Sequence, residues 1–172
     1  MTDVWLGSWL QCKPYITNFD TAIDVGYRRG EFAVNLTSEF KNVIGFEFRY
    51  PRYMKEGNLE IFNHALGDED TVRNTSMKAG RIKGNGPREV IIKKLDSFNY
   101  NNIGFIKIDV EGYEPKVLEG AKETIERCNP VICCEINRSE NNSQEILENW
   151  GYKLMEIDKL QGHDYIFVRR KK

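Results

Sequence analysis

The sequence predicts an α/β fold in which helices flank a mostly parallel central sheet that ends in an antiparallel C-terminal strand pair. Residues 103–110 (IGFIKIDV) form a short, β-branched apolar run, which is typical of a strand buried on both faces. A helical pattern follows Pro115, with Val117 and Ile125 on one side. An earlier strand-like segment, TAIDVG, is also followed by a helical pattern, so the strand–helix order repeats.

The composition describes a single globular domain over residues 1–172. The 25 Lys and Arg residues balance 26 Asp and Glu residues for a net charge of -1, which argues against nucleic acid or an anionic membrane as a partner. No apolar run reaches the length of a membrane span, and the N-terminus lacks a basic start followed by an apolar core. We therefore expect a cytoplasmic protein.

The four cysteines, Cys12, Cys128, Cys133 and Cys134, form no C-x-x-C pair. Neighbouring residues of a strand point to opposite faces, so Cys133 and Cys134 cannot hold one metal in the usual way. We expect reduced thiols and no zinc site.

The N-terminal half predicts a helical segment and then alternating strands and helices. Residues 1–18 carry a short amphipathic helix around Trp9, which either packs on the domain or serves as an oligomer contact. A strand over residues 21–26 leads to a helix over residues 30–40. Two more strands are expected over residues 42–48 and 59–66.

The turn after the first strand reads D-V-G-Y-R-R-G over residues 24–30. Gly26 and Gly30 allow a tight turn and a close approach of a ligand to the backbone. The turn lacks the G-x-G-x-x-G spacing of dinucleotide-binding folds and the G-K-[ST] of a P-loop. Asp24 would repel a pyrophosphate but suits a ligand that carries an amino group or a positive sulfonium.

Glu47 ends the second strand, roughly 20 residues beyond the glycine turn. A carboxylate there is the usual partner of ribose hydroxyls in nucleoside-binding α/β folds, and a solvated charge at the end of a strand is the alternative. After the third strand, Ala65, Leu66 and Asp68 are candidates for contact with an adenine. We expect His64 to be a structural histidine.

Residues 71–94 depart from the strand–helix rhythm and predict two β segments joined by a Gly- and Lys-rich loop. The basic residues that dominate this insertion are Arg73, Lys78, Arg81, Lys83, Arg88, Lys93 and Lys94. Two interpretations remain open. The stretch is a solvated mobile loop, or it is a lid that draws in an anionic acceptor such as a phosphorylated or acidic sugar, or a nucleic acid.

The C-terminal half continues the α/β pattern. After a lead-in over residues 96–102, we expect the central strand, a helix over 114–127, a strand over 130–136 and a helix over 142–150. Strands over residues 152–157 and 164–169 are joined by a tight connection through Gln161, Gly162 and His163, which predicts antiparallel pairing.

Two acids, Asp109 and Glu111, follow the central strand. The carboxyl ends of strands are where open α/β sheets bind ligands, but acids at this point also cap the following helix. Glu135 ends the next strand. Lys107 interrupts the apolar run, and we expect its stem to lie along apolar surface while its ammonium reaches the solvent.

Taken together, these segments resemble class I S-adenosylmethionine-dependent methyltransferases and, more specifically, the FkbM family. The matching segments are IDVG with GEFAVNL, VIGFE, NHALGD, KKLDSF, IGFIKIDVEGYEPKVLEGAKETI and PVICCEI. They extend over residues 21–136, and the segment over residues 103–125 is the most specific of them.

The resemblance implies a Rossmann-like methyltransferase domain that uses S-adenosylmethionine. Its cofactor pocket would include Asp24, Gly26, Tyr27, Arg28, Gly30, Glu47, Phe48, Ala65, Leu66 and Asp68. Asp24, Gly26 and Gly30 would shape the methionine end, Glu47 would hold the ribose hydroxyls, and the last three residues would flank the adenine. Tyr27 and Arg28 stand where the family has Ala-Asn, and Phe48 replaces its proline. Either Arg28 pairs with the cofactor carboxylate, or the pocket is altered and the enzyme is weak.

Asp109 would face the transferred methyl group and an acceptor hydroxyl on a sugar or another small metabolite. It would act as a base, or it would bind a divalent cation such as Mg²⁺ together with Glu135, which could orient the acceptor instead. Glu111 is expected to lie behind Asp109. A nicotinamide-dependent reductase is disfavoured by the glycine spacing, whereas a non-catalytic or altered-cofactor binding module on the same fold remains an alternative.

Overall fold

The structure, a computed structural model, describes residues 4–49, 53–78, 81–136, 141–155 and 163–170. Its strands are β1 (Thr21–Val25), β2 (Asn42–Phe46), β3 (Met54–Glu56), β4 (Leu59–Phe62), β5 (Ala65–Leu66), β6 (Thr71–Lys78), β7 (Arg81–Lys93), β8 (Ile103–Ile108), β9 (Val131–Glu135), β10 (Tyr152–Met155) and β11 (Asp164–Arg169). Its α-helices are α1 (Val4–Cys12), α2 (Ala33–Thr37), α3 (Glu114–Glu119), α4 (Lys122–Cys128) and α5 (Ser143–Asn149).

Eight strands form the main sheet in the order β10–β11–β9–β8–β1–β2–β4–β3. The five strands from β9 to β4 are parallel, while β3 and the β11–β10 pair are antiparallel. This arrangement confirms the predicted mostly parallel α/β sheet with an antiparallel C-terminal pair. The order of the strands reverses between β1 and β8, and the carboxyl ends of such a pair flank the crevice in which open α/β sheets bind ligands.

Alternation along the strands divides the core into two layers. Ile106 and Ile132 pack in the layer that contains α3, α4 and α5, whereas Phe105 and Cys133 pack in the layer that contains α1 and α2. Because side chains of a strand alternate between faces, every second residue of β8 and β9 belongs to the α1–α2 side. That side therefore receives the polar residues at the carboxyl ends of these strands.

The helix α1 forms within the N-terminal segment where the sequence predicts a short helix. Trp9 is buried and its ring lies 5.8 Å from the ring of Phe105 and 6.1 Å from that of Phe40. Leu6 and Leu10 are exposed. No helix within the described ranges is long and apolar enough to cross a membrane.

The helix predicted over residues 30–40 is shorter, because α2 covers only Ala33–Thr37. Gly30 has a left-handed backbone with φ of 83° and belongs to the preceding turn. At the other end, the hydroxyls of Thr37 and Ser38 donate to backbone carbonyls three residues back. Such local bonds compete with continuation of the helix.

The helix predicted over residues 114–127 is broken into α3 and α4 at Gly120. A Cβ on Gly120 would lie 1.8 Å from the carbonyl oxygen of Gly67, so the chain passes here without room for a side chain. Asp96 then caps α4, because its carboxylate accepts a hydrogen bond of 2.8 Å from the backbone N–H of Thr124.

The single strand predicted over residues 59–66 is wrong. The chain leaves the main sheet after Phe62, whose carbonyl accepts a hydrogen bond of 3.0 Å from the backbone N–H of Glu47. β4 remains beside β2, whereas β5 pairs in parallel with β7 in a separate three-stranded sheet with the order β5–β7–β6.

β6 and β7 form a long antiparallel hairpin where the sequence predicts two β segments and a loop. The register shifts in its middle, because Thr75 pairs with Arg88 but Ser76 pairs with Lys83. The residues between Lys83 and Arg88 bulge from the ladder, which accommodates Pro87, a residue without an N–H to donate. Residues 161 and 162 of the predicted C-terminal connection and residues 156 and 157 of its first strand lie outside the described residues, and β10 and β11 pair antiparallel as predicted.

Candidate functional site

A small cleft opens where β1 and β8 end. It is lined by Asp24, Gly26, Tyr27, Arg28, Glu31, Phe32, Lys107 and Asp109. The structure thus brings Asp109 together with four residues of the predicted cofactor pocket. Its place at the reversal of strand order is the place where ligand sites occur in this class of sheet.

The glycine turn is fitted tightly against the end of β8. Gly26 has a φ of 90°, and a Cβ on it would lie 1.9 Å from the carbonyl oxygen of Asp109. The backbone N–H of Asp109 in turn donates to the carbonyl of Val25 at 2.9 Å. Any larger residue at position 26 would push the two strand ends apart.

Tyr27 fills the space behind the turn. Its side chain is buried, and the glycines at positions 30 and 45 make room for it. A Cβ on Gly30 would lie 2.4 Å from the Tyr27 hydroxyl oxygen, and one on Gly45 would lie 2.7 Å from its ring. Gly30 therefore shapes the cleft indirectly, by admitting the tyrosine that supports the turn.

A cluster of four acids surrounds Lys107, and we call it the acidic cluster: Asp24, Asp109, Glu135 and Asp164. The prediction that the Lys107 ammonium reaches the solvent is wrong, because the side chain is only 1% exposed. Its Nζ lies 2.7 Å from Asp164 Oδ1 and 3.8 Å from Asp109 Oδ2. Burying an ammonium is costly unless it is paired, and these partners supply the pairing.

The acidic cluster holds more carboxylates than its central ammonium can neutralise. Asp24 Oδ2 is buried without a hydrogen-bond partner among the described residues, and burial raises the pKa of Asp24 to about 7. Glu135 Oε2 is likewise buried without a hydrogen-bond partner among the described residues. Burial, together with the neighbouring Asp109, raises the pKa of Glu135 to about 8. A raised pKa keeps much of Glu135 protonated at neutral pH, which reduces the repulsion between its carboxyl and the Asp109 carboxylate.

Lys107 keeps its charge in this setting. Burial opposes the charged form, but the Cys133 thiol and the carboxylates of Asp164 and Asp109 hold the pKa of Lys107 above its ordinary value. The ammonium also lies 5.8 Å from the centre of the Phe32 ring, over its face.

Glu47 is buried and does not line the cleft. Its carboxylate accepts hydrogen bonds from the backbone N–H groups of Arg28 and Arg49 at 3.0 Å each. It also accepts bonds from Nε and Nη2 of Arg49 at 2.8 and 2.7 Å. Arg28 has a left-handed backbone with φ of 50°, and this conformation accompanies the contact of its N–H with Glu47.

Phe48 connects the segment beside Glu47, which we call the rim, to the second sheet. The centre of its ring lies 5.8 Å from the guanidinium carbon of Arg49 and 5.7 Å from that of Arg88. Arg88, which belongs to the β6–β7 hairpin, also donates to the Phe48 carbonyl at 3.3 Å. The hairpin is thereby held against the rim beside Glu47.

The predicted adenine contacts lie away from the cleft lining. Ala65 and Leu66 form β5, and Leu66 is buried in the core layer of α3 to α5. Asp68 forms an ion pair of 2.6 Å with Lys116. The structure therefore does not bring these three residues together with Asp24 and Asp109.

Sequence reasoning missed Glu114, which organises the loop after β8. The side chain is 1% exposed, and its carboxylate accepts bonds from the backbone N–H groups of Val110 at 3.1 Å and Gly112 at 3.0 Å. Its other oxygen accepts a bond of 2.9 Å from the Asn141 amide. A glutamate in the first turn of a helix that binds preceding N–H groups resembles a capping box, and that pattern could have revealed it.

The residues around Asp109 do not form a metal centre. Nowhere in the described part of the chain do three His, Cys, Asp or Glu side chains converge as metal ligands. Beside Asp109, the Lys107 ammonium already supplies the positive charge. The predicted alternative of Mg²⁺ held by Asp109 and Glu135 therefore lacks support.

Residues 49–167 match the family described as Methyltransferase FkbM domain. This segment includes β8 and the loop that carries Asp109, and it begins just after Glu47. No curated protein matches the sequence.

Several solved structures share the fold. FkbM methyltransferase from Methylobacillus flagellatus KT has a TM-score of 0.56 and 14% identity, over 87% of this chain and 43% of its own. The Streptococcus mutans protein SMU.1697c, in complex with SAH, has a TM-score of 0.55 and 12% identity, over 93% and 91% of the two chains. An rRNA methylase from Streptococcus thermophilus has a TM-score of 0.54 and 8% identity, over 99% and 98%. This chain thus spans less than half the length of the Methylobacillus protein.

Proposed function

The chain belongs to the FkbM methyltransferase domain family, and from this premise we propose that it transfers a methyl group from S-adenosylmethionine to a hydroxyl. The acceptor we propose is a sugar or another small metabolite. The observation that carries the proposal is the cleft at the ends of β1 and β8, where Asp24 and Asp109 line the same space. A fold neighbour solved with SAH, the demethylated form of this donor, adds support.

The residues of the cleft fit the methionine end of this cofactor. Among the described residues, none donates a hydrogen bond to the buried Oδ2 of Asp24, and an amino group would supply that donor. The surplus of carboxylates around Lys107 favours a positively charged group nearby. When bound, S-adenosylmethionine supplies a methyl group activated by its sulfonium.

Asp109 is the residue we assign to the acceptor. Its side chain is 12% exposed, more than the 1% of Lys107, so it is the part of this ion pair that a ligand can reach. An alcohol is a weak nucleophile until its proton is removed, and Asp109 would take that proton as the oxygen is methylated. The Lys107 ammonium, 3.8 Å from Asp109 Oδ2, holds this carboxylate at the edge of the cleft.

Positioning of the acceptor is a second contribution besides proton transfer. Holding the acceptor oxygen in line with the methyl carbon is worth up to roughly 7–11 kcal/mol in favourable cases. Glu114 fixes the loop that follows Asp109, and Gly26 packs against the carbonyl of Asp109. The β6–β7 hairpin reaches the rim through Arg88, and we propose it as the lid over the acceptor.

The test combines a binding and a turnover measurement. We expect calorimetry to detect SAH binding to the unmodified chain and to Asp109→Asn alike. Methyl transfer to pooled sugars and metabolites should fall about 10²- to 10⁴-fold in Asp109→Asn, the usual contribution of a positioned base. Glu111→Gln, two residues further along, is the matched control and should retain turnover.

Two outcomes would contradict the proposal. Full turnover by Asp109→Asn would remove Asp109 from the reaction. Failure of the unmodified chain to bind SAH would favour the non-catalytic module, an interpretation in which the filled Glu47 site has a purely structural role.

A further inference from the structure

The carboxylate of Glu47 has no accepting position left for a ligand. Its Oε1 accepts from the backbone N–H and the Nε of Arg49, and its Oε2 accepts from the backbone N–H of Arg28 and the Nη2 of Arg49. A carboxylate offers about four lone-pair sites, and four donors occupy them. Ribose hydroxyls therefore cannot bind Glu47 while all four donors stay.

The four donors fall into two kinds. The backbone N–H groups of Arg28 and Arg49 are fixed by the fold and leave one lone pair free on each oxygen of Glu47. Those two remaining sites, one on each oxygen, are taken by the guanidinium of Arg49. Neighbouring hydroxyls of a ribose need the same two sites, so the guanidinium and the ribose present matching pairs of donors.

Arg49 has room to move, and Glu47 does not. The Arg49 side chain is 35% exposed, whereas that of Glu47 is 2% exposed. The guanidinium lies 5.8 Å from the Phe48 ring centre, and the carboxylates of Glu111 and Asp109 also attract it. The side chain therefore has other favourable surroundings beside the cleft once it leaves Glu47.

We propose that Arg49 is a latch on the ribose site: it occupies the Glu47 oxygens and must swing aside before the nucleoside part of the cofactor binds. This inference rests on the proposed function, because it regulates the same cofactor site. The cofactor binds only to molecules in which Arg49 has left Glu47. Its apparent affinity is therefore the intrinsic affinity multiplied by the fraction of such molecules.

The test is calorimetry with SAH on Arg49→Met, which keeps much of the side-chain volume but has no donor for Glu47. We expect this variant to bind SAH about 10-fold more tightly than the unmodified chain, because the population with an open Glu47 rises. Arg49→Lys retains the charge without the two-pronged geometry and should give an intermediate affinity.

Arg88→Met is the matched control. Like Arg49, Arg88 has its guanidinium over the ring of Phe48, and it also donates to the Phe48 carbonyl. The variant therefore also removes one guanidinium from the surroundings of Phe48. We found Arg88 at Phe48 and not among the donors to Glu47, so its loss should change SAH affinity by less than about twofold.

The outcomes separate the latch from the function. Tighter binding in Arg49→Met with an unchanged Arg88→Met supports the latch. Equal or weaker binding in Arg49→Met overturns the latch while leaving the proposed function intact, since SAH still binds. Binding by none of the proteins overturns both proposals. If Arg49→Met does not fold, an affinity of Arg49→Lys equal to or below that of the unmodified chain overturns the latch.

Discussion

Glu47 and Asp24 are buried to nearly the same degree at the ends of neighbouring strands, yet they differ in the donors that reach them. Four donors surround Glu47, and although burial opposes ionisation, the hydrogen bonds from Arg49 hold the pKa of Glu47 below its ordinary value. Asp24 has one oxygen that accepts no hydrogen bond from the part of the chain that the structure describes, and burial raises its pKa to about 7. At Glu47 the hydrogen-bond donors outweigh the effect of burial on the pKa, whereas at Asp24 burial prevails.

The same contrast separates stability from binding. A carboxylate with every lone pair satisfied contributes to the fold, and a ligand must displace a donor to use it. A carboxylate with an open oxygen costs stability and is ready for a ligand. Three substitutions test this distinction, beginning with the largest expected effect.

Lys107→Met should break the acidic cluster, because it leaves the surrounding carboxylates without their central cation. Removing one partner of a buried ion pair typically costs about 3–5 kcal/mol, and we expect a loss of that size in the free energy of unfolding. Chemical denaturation at pH 7 measures it. Lys116→Met, which removes an exposed lysine paired with Asp68, is the control and should change the free energy of unfolding far less, because solvent screens this surface pair. Equal losses in the two variants would show that the cluster is not special.

Glu47→Gln should destabilise the fold by about 2 kcal/mol at pH 7, because it weakens charged hydrogen bonds to Arg49 and to the backbone. The folded pKa of Glu47 is lowered from 4.5, so its stabilisation is present above that value and is lost as the pH falls through the folded pKa. Denaturation curves at a series of pH values should show the difference from the unmodified chain shrinking in acid. A constant difference at every pH would contradict this account.

Asp24→Asn should have the opposite sign, with a gain of about 1 kcal/mol at pH 8. The folded pKa of Asp24 is raised from 3.8 to about 7, so the unmodified fold favours the protonated acid and loses stability as the pH rises between these values. Thermal unfolding at pH 5 and pH 8 measures the gain, which should be larger at pH 8. SAH affinity should fall in the same variant. A loss of stability at pH 8 would show that the Asp24 carboxylate stabilises the fold, as that of Glu47 does.

Much of the sheet could be predicted from the sequence because it rests on local patterns. The apolar run of β8 and the glycine turn after β1 indicate parallel strands, and the rule for strand ends then brings Asp24 and Asp109 to one cleft. The predicted place of Glu135 beside Asp109 follows from the same rule.

The departures arise where distant segments meet. Lys107 is buried because α1 and α2 cover its face of the sheet and because Asp164, 57 residues away, supplies a partner. Lys107 and Asp109 are two residues apart on one strand, so their side chains lie on the same face of the sheet. The sequence could therefore have assigned the face of Lys107, but not how deeply it is buried. The hydrogen bonds from Arg49 to both oxygens of Glu47 depend on side-chain geometry, which the identity of the two residues does not reveal.

Strand pairing sets Asp24 beside Lys107, and Lys107 beside Cys133. This register limits the insertions and deletions that these strands can accept in evolution. Loss or gain of one residue within β8 would turn Lys107 and Asp109 toward the apolar layer beneath α3 and α4, and would take Lys107 away from its partner Asp164. Changes in length during descent should therefore collect in the connections, and related chains should align without gaps through β1, β8 and β9.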